Sequence, residues 1–571
     1  MKNIYICDDA NDVNFLKNRK ITEKDRIFCF DKTNLNLTDY KFNFSFPFDE
    51  LYKSKNDATK NYFDFLEKNI SNRRLLNYSR IGECNFADKY IIQYYKLFLI
   101  NKLISCKNTN IILVSNSIKK NYLMDFGFTK IISIKDQYFL NFYQNPKKKM
   151  ILIKNIFQNL FKEVSFNFFK KRKKKKLKKN IIYSHIKHHW SLNKKNQLNY
   201  TYIKNIKELF FIVSALRNNS QKLLKVKKNK ILDLMQNNPQ FEILENYSSF
   251  KSILKAYFLS IYFLYKIKVK KNLPYSNFFI DYLKDSFIID CSKQLSFQYT
   301  LRVFFSENHV SKICIPTFEF SEGRTVLSEA KKNSSSQILA MQHGFMGDFH
   351  LNRFTSSYNL NLNNKNFYPD KIILFGEIYN KYLKRFNSEN IIIGNTRIIK
   401  LPERYRFKET KKIKYLLLLD LHNWRRIIDE MSHISDIRNI YIKAHPFTQK
   451  SVHDYVHSKK INVNFFDSNY KEEDFNCVLC SDSGVAIEYA LSGWPVFLIK
   501  NNYFVNYSPL LLDNKNFLSF DFNVHEIKKI SLLLNSKINL QNYVDNLEKK
   551  AKLHCSYFGA DAEIKLKSLL N

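Results

Sequence analysis

Glycine is nearly absent from this chain: ten residues in 571, matched by ten prolines. Only Gly82 and Gly127 precede residue 323. The other eight lie at or after Gly323, so the carboxyl half keeps glycine where backbone geometry demands it. Acidic residues are also few, 52 against 93 Lys and Arg, which leaves a formal net charge of +41. No uninterrupted apolar run reaches the roughly 18 residues of a membrane span. The most apolar stretch, Ala256 to Tyr265, contains Ser260 and is flanked by lysines. Nine cysteines are scattered and odd in number, which argues for reduced thiols in a cytoplasm. Cys477 and Cys480 have CxxC spacing but no second pair, which argues against metal or redox work. The chain opens on a strand, Asn3 to Cys7, and not on a signal peptide.

What is abundant is core material. Hydrophobic residues make up 45% and aromatics 16% of a chain long enough for two to four domains. Lys, Asn, Ile, Phe and Tyr are all enriched, in part the signature of an AT-rich coding sequence, so single lysines or asparagines carry little weight. Strands at Asn3 to Cys7, Arg26 to Phe30 and Asn110 to Val114, with helices at Asp88 to Leu103 and Ile118 to Met124, predict a first α/β unit over 1–150. A new strand starts at Ile181 and ends at His185, followed by His188, His189 and Trp190. Phe210 to Leu216 and Phe250 to Tyr265 read as helix or buried strand; periodicity does not decide between them.

Three segments carry the chemistry. Met341-Gln342-His343-Gly344, Lys443-Ala444-His445-Pro446 and Ser481-Asp482-Ser483-Gly484 each follow an apolar, strand-like run. In open α/β sheets ligands bind outside the carboxyl ends of strands, so three polar tips point to one crevice. After Ser481–Gly484, a helix over Val485–Leu491 ends at Gly493 and Pro495, and Val496–Ile499 is the next strand. Such a strand–turn–helix offers free N–H groups to an anion, although helix capping alone uses the same residues. Glu488 stands one turn into the helix, within reach of a ribose diol. His445 changes charge near neutral pH and can donate to a phosphate oxygen, and Pro446 ends its strand.

On these motifs, the stretch from Lys312 to Leu534 resembles the nucleotide-binding half of GT-B glycosyltransferases. The likeness is to bacterial capsule and lipopolysaccharide enzymes that use CMP-activated Kdo or sialic acids, and to CDP-glycerol glycerophosphotransferases. It covers about 40% of the chain. The resemblance implies an α/β fold of two Rossmann-like lobes facing across a cleft, with helical insertions in the first. The implied domains are 1–150, a linking segment 151–180, the rest of an acceptor-side lobe 181–345, and a donor-binding lobe 346–571. Pro369–Gly376 and Ile391–Asn395 resemble the first strands of that donor lobe. The implied donor site is His343, Gly344, Asn395, His445, Pro446, Ser481, Asp482, Ser483, Gly484 and Glu488, with His343 and Gly344 at the hinge. The implied reaction is inverting, metal-independent transfer of a sugar from a nucleotide donor, preferably a CMP-linked nonulosonate, to a surface glycan or lipid-linked acceptor, with no further cofactor. UDP-N-acetylglucosamine 2-epimerases share the Ser481–Gly484, Glu488 and Pro495 pattern and are an alternative. Glycerophosphate transfer is another, since it needs the same phosphate clamp.

An inverting transferase needs a base for the acceptor hydroxyl. Ser321-Glu322-Gly323 partly resembles the acidic-acidic-Gly motif of bacterial sialyltransferases, with Ser in the place of the first acid. Glu322 and Glu319 are therefore the candidate catalytic carboxylates, beside His445 on the leaving phosphate; Asp8 and Asp9, at the tip of the first strand, are rivals.

The charge is sharpest at Lys170–Lys179. Just before it, Ile153, Ile156, Phe157, Leu160, Phe161 and Val164 recur at helical spacing. An apolar helical face followed by a polybasic run suits an anionic membrane surface, so 151–179 is expected to hold the protein peripherally at the inner face of the cytoplasmic membrane. A solvated loop beside a core helix is the plainer alternative. Nucleic acid is not expected, since no recognised motif accompanies the charge. The non-enzymatic alternative is a basic binding scaffold.

Overall fold

The computed structural model describes residues within 3–30, 43–45, 57–64, 89–134, 157–166, 178–215, 225–266, 274–347, 368–408, 412–500 and 508–571, apart from short interruptions. They form three parallel sheets. The first comprises β1 (Asn3–Cys7), β2 (Arg26–Cys29), β3 (Asn43–Ser45), β4 (Asn110–Leu113) and β5 (Ile131–Ser133), in the order β3-β2-β1-β4-β5. Helix α1 (Lys89–Leu103) covers one face and buries Tyr94, Leu97 and Ile100 completely. These strands and this helix form one α/β unit within residues 3–134.

The second sheet has seven strands. They are β6 (Lys178–His185), β9 (Phe210–Ser214), β10 (Phe241–Ile243), β11 (His309–Ile315), β12 (Gln337–Met341), β13 (Lys371–Leu374) and β14 (Glu389–Ile392), in the order β10-β9-β6-β11-β12-β13-β14. Between β6 and β9 an antiparallel hairpin, β7 (Trp190–Leu192) with β8 (Leu198–Tyr200), stands outside the sheet. The run Phe210 to Leu216 resolves as strand over 210–214, and Phe250 to Tyr265 as helix α2 (Phe250–Lys266). Helix α3 (Ser276–Glu307) is a strut of 32 residues, roughly 48 Å long at 1.5 Å per residue. Its Tyr275–Phe279 end is packed in the core of the first unit, where Lys119 Nζ lies 2.5 Å from Asp281. Its other end gives Leu301, Phe304 and Phe305 to the core of the second. Helix α4 (Ser321–Asn333) joins β11 to β12.

The third sheet holds β15 (Tyr415–Leu418), β16 (Ile440–Lys443), β17 (Asn464–Phe465), β18 (Cys477–Cys480), β19 (Val496–Ile499) and β20 (Ser519–Phe520), in the order β17-β16-β15-β18-β19-β20. β15, β18 and β19 are buried throughout, as strands covered on both faces of a parallel sheet should be. Helix α5 (Val485–Leu491) connects β18 to β19. After α6 (Lys537–His554) the chain returns to the second unit as α7 (Gly559–Leu570), whose Leu566 and Leu570 lie in that unit's core. The second and third sheets supply the expected pair of Rossmann-like units.

The division between them differs from the expectation. Pro369–Gly376 and Ile391–Asn395 do not open the donor lobe. β13 pairs in parallel with β12, and β14 with β13, extending the second sheet. Isolated strand motifs look alike in either unit; only pairing assigns them. Likewise α7 belongs by packing to the second unit, although it follows the third in sequence. Lys178 and Lys179, read as the end of the polybasic run, begin β6, and Lys170–Leu177 lie outside the described residues.

Where the chain leaves the second unit, Gly394 has φ +86° and meets the returning segment: a Cβ there would lie 2.0 Å from the Tyr557 carbonyl oxygen. Asn395 N–H donates to that same oxygen at 2.8 Å. Gly394→Ala combines a left-handed backbone with a backbone clash, and is expected to lower stability by more than about 2 kcal/mol. Urea unfolding of the variant at an unchanged midpoint would show that this contact does not hold the two units.

Candidate functional site

The third sheet reverses direction between β15 and β18: the chain runs β15-β16-β17 to one side and β18-β19-β20 to the other. Ligands of open parallel sheets bind at the carboxyl ends beside such a reversal. Ser481–Gly484 follows β18 at that point. Ser481 is buried, while Asp482, Ser483 and Gly484 are partly exposed. His445 and Pro446 follow β16 at the same edge, two strand positions away, a separation of roughly 10 Å. His445 is partly buried, and its carbonyl accepts from Thr448 N–H at 2.9 Å and from Thr448 Oγ1 at 3.2 Å, closing the His-Pro turn on itself.

Gly484 belongs to the implied donor site. Its backbone is helical, with φ −64°, and a Cβ would meet the ring of Phe345 at 3.3 Å. Phe345 follows Gln342-His343-Gly344, so the missing side chain seats the second unit's loop on the third unit's turn. That contact brings two of the three motifs together. Gln342 braces its own loop: Nε2 donates to Gly344 O at 2.8 Å and Oε1 accepts from Phe375 N–H at 2.9 Å.

His343 ends the second sheet's contribution to the cleft. Its Nδ1 lies 2.8 Å from the buried Tyr202 hydroxyl, which the β7–β8 hairpin delivers. Its carbonyl accepts from Arg397 Nη1 at 2.9 Å, and the Arg397 guanidinium lies 5.7 Å from the Tyr202 ring centroid. The Phe320 ring stands edge-on to His343 at 5.6 Å. Phe320 is the residue before α4, so the first turn of that helix, with Glu322, is beside His343. Glu322 is partly exposed, and Glu319 lies outside the described residues. Asn395 is buried and serves the backbone: its Oδ1 accepts from Arg397 N–H at 3.0 Å while its own N–H holds Tyr557. His188, His189 and Asp9 are outside the described residues; His185 is buried at the end of β6, and the Asp8 carboxylate is bound by Lys96 and by Ser115 Oγ at 2.7 Å.

A cavity of about 420 Å³ is lined in part by Lys400, Leu401, Lys443, Glu472, Glu488 and Tyr489, so of the implied donor-site residues Glu488 is the one in its wall. Its volume is within the range of small-molecule sites. Lys443, the last residue of β16, donates to Tyr489 Oη at 3.1 Å, and Tyr489 donates to Glu472 Oε1 at 2.8 Å. Burial and the neighbouring Glu472 push the Tyr489 phenol well above its usual range, so it stays protonated. Glu488 is pushed up to about 7, chiefly by burial, against the pull of Lys443 and Arg397. A carboxyl poised there accepts from a hydroxyl when ionised and donates when protonated. Sequence reading singled out Glu488 and named Lys443 only as the start of a segment, without a role; it missed Glu472, Tyr489, Arg397 and Tyr202. Lys443 carried a usable signal, as a lone charge closing an apolar strand. Tyr202 and Arg397 carried none, because the hairpin and the linker that aim them are tertiary features. Among the described residues, no group of three or more His, Cys, Asp or Glu side chains is placed to hold a metal ion.

The Glu488 proton gives a direct test. Its folded-state value of about 7 lies above the ordinary 4.5, so the folded chain holds more protons between those limits and loses stability as pH rises through them. Glu488→Gln removes this slope. The melting temperature of the variant is expected to match the parent near pH 4.5 and to exceed it increasingly up to pH 7, where the difference reaches up to about 3 kcal/mol. Parallel melting profiles across pH 4.5–7 would refute the burial of this carboxyl.

No protein-family profile matches the chain, and no curated protein matches it. Solved structures do. The chain is similar to TarM at 16% identity and a TM-score of 0.30, over 48% of this chain and 58% of TarM, so it spans little more than half of that protein. It is similar to TagF, a wall teichoic acid polymerase, at 13% identity and 0.33, over 74% of this chain and 96% of that one. It is similar to CalG4, a calicheamicin glycosyltransferase, at 10% identity and 0.36, over 69% and 98% respectively.

Proposed function

We propose that this chain is a GT-B-type transferase that moves a sugar from a nucleotide donor to a hydroxyl of a surface glycan or lipid-linked acceptor. The observation that carries the reading is convergence. Lys443 and Glu488 line a cavity of about 420 Å³, Arg397 acts electrostatically on Glu488 and also holds the His343 carbonyl at 2.9 Å, so groups from two sheets and the linker between them converge on one region. A nucleotide fits the chemistry of that cavity: a carboxyl for the ribose diol, cations for the phosphate, and apolar wall from Leu401 and Val485.

In this reading the donor phosphate sits at the carboxyl edge of the third sheet, between His445 and the Ser481–Gly484 turn. His445 donates to a phosphate oxygen as the bond to the sugar breaks, and Lys443 and Arg397 lower the energy of the charge that develops there. Glu488 accepts from the ribose. The acceptor enters from the second unit, where His343, Glu322 and Glu319 stand as candidate bases. His343 has the more direct geometric support, because its Nδ1 lies 2.8 Å from the Tyr202 hydroxyl, which holds the ring at the cleft. A CMP-linked nonulosonate remains the preferred donor, on the sequence resemblance. The acceptor brings a surface partner: segment 151–179 would hold the protein peripherally at an anionic membrane. No helix among the described residues is long and apolar enough to cross one.

The test is a thermal-shift panel of CMP, CDP, UDP, GDP and ADP without metal. Stabilisation by CMP is expected. A response to CDP alone would favour glycerophosphate transfer, and to UDP alone a UDP-sugar transferase or epimerase. Lys443→Ala and His445→Ala are expected to weaken the responding nucleotide at least about tenfold, the size of one lost charge-assisted hydrogen bond, while leaving the melting temperature of the free protein within a few degrees. Nucleotide affinity indifferent to both variants would sink the assignment.

A further inference from the structure

An exposed apolar stripe lies far in sequence from the cleft motifs, on α2. Phe250, Leu254, Phe258 and Ile261 fall at i, i+4, i+8 and i+11, one face of the helix. Phe258 is 69% exposed, Phe250 45% and Ile261 46%, and Leu254 is partly exposed. The opposite face is fully used: Ile253 and Ala256 are completely buried, and Ala256 packs with Cys291 and Leu295 of α3. Phe258 and Ile261 in particular keep about half or more of their surface outside the core. Isolated surface hydrophobics are ordinary, but an aligned row of large ones marks an interaction surface.

The chemistry of the border selects the partner. Lys251 and Lys255 are exposed beside the stripe, and Lys266, Lys268, Lys270 and Lys271 follow at the helix end. No acidic residue occurs between Asn246 and Asp281. An apolar face edged on its own helix by lysines matches a surface with hydrocarbon beneath and negative charge above, which is an anionic bilayer. A protein partner would call for a patterned border that includes acceptors or acids.

A second element sits on the same strut. The helix over 157–166 exposes Phe157 at 63% and Phe161 at 72%. It is anchored by the buried Glu163, which accepts from Ser296 Oγ at 2.5 Å. Ser296 adjoins Leu295, where α2 packs. Two helices with exposed aromatic side chains, each followed in sequence by a lysine run, thus pack on the Cys291–Ser296 stretch of α3.

We propose that α2 is a membrane-docking helix, lying in the interface of an anionic lipid surface with Phe258 and Ile261 inserted among the acyl chains. This goes beyond the expectation for 151–179, because it assigns apolar insertion to a different helix and makes α3 the beam that carries both.

The experiment is co-sedimentation of the full chain with vesicles of phosphatidylcholine alone and of phosphatidylcholine with phosphatidylglycerol in equal parts. Binding is expected to the anionic vesicles only. Phe258→Glu with Ile261→Glu is expected to weaken it at least about tenfold, while Phe258→Leu with Ile261→Leu retains it. Circular dichroism and the thermal response to nucleotide should stay unchanged in both, which separates this proposal from the transfer reading. Undiminished binding of the glutamate variant would overturn the assignment of α2; so would loss of binding only when the lysines of 170–179 are replaced by glutamine. Sedimentation velocity in the absence of lipid supplies the other arm: a dimer abolished by the glutamate variant would assign the stripe to a second copy of the chain instead.

Discussion

The hydrogen bond from Asn395 N–H to the Tyr557 carbonyl, at 2.8 Å, is the contact on which the rest of the molecule depends. It ties the strand leaving the second unit to the segment that returns from the third. Around it, Ser556 N–H donates to Phe375 O at 3.0 Å and His554 Nδ1 pairs with the Tyr379 hydroxyl at 2.9 Å. α7 then docks by Lys312 Nζ to Leu569 O at 3.1 Å and Asn180 Nδ2 to Leu570 O at 2.7 Å. Two crossings in opposite directions restrain the units far more than one linker does. Arg397 stands two residues from the crossing. Its reach to His343 is a consequence of the clamp, and the position of the second unit's cleft groups over the third unit's turn follows in the same way.

Charge in the cleft is organised against the excess outside it. The chain carries +41 overall, yet the cavity wall contains Glu403, Glu472, Glu473 and Glu488 beside its lysines. Burial raises Glu488 to about 7 and keeps Tyr489 protonated, so the Lys443–Tyr489–Glu472 chain has one direction of donation: ammonium to phenol oxygen, phenol to carboxylate. Such a chain holds Lys443 still without neutralising it. A fixed cation in a partly dry site stabilises developing negative charge more than a mobile surface lysine, because little reorganisation accompanies the reaction.

The strut α3 links the unit without assigned chemistry to the unit that forms the cleft. Tyr275, Phe278 and Phe279 are embedded in the first core, and Leu301, Phe304 and Phe305 in the second. The same helix supports α2 and the helix over 157–166. The surface that bears the exposed aromatics and the unit that contributes His343 are therefore joined through one helix.

The local elements were legible in the sequence because each has a local cause. Apolar runs of four or five residues ending in Ser, His or Gly mark buried parallel strands, and β12, β16 and β18 end where those residues stand. The helix after Ser481–Gly484, its stop at Gly493 and the strand at Val496 follow from the same punctuation, as does the first α/β unit. Ownership was not legible. Lys371–Leu374 and Glu389–Ile392 are apolar strands whose sheet is decided by hydrogen bonding, the first to β12, some 30 residues away in sequence, and the second to β13. Nor does periodicity show that Gly484 makes room for Phe345, that Tyr202 reaches His343, or that Glu488 is buried enough to titrate near neutrality. Each depends on two segments remote in sequence lying against one another. The amino-acid sequence by itself determined the strands, the turns and the polar tips, since these answer to neighbours a few residues away. Which tips face one another, and with what charge, was decided only by the tertiary structure, where packing sets distance and burial sets protonation.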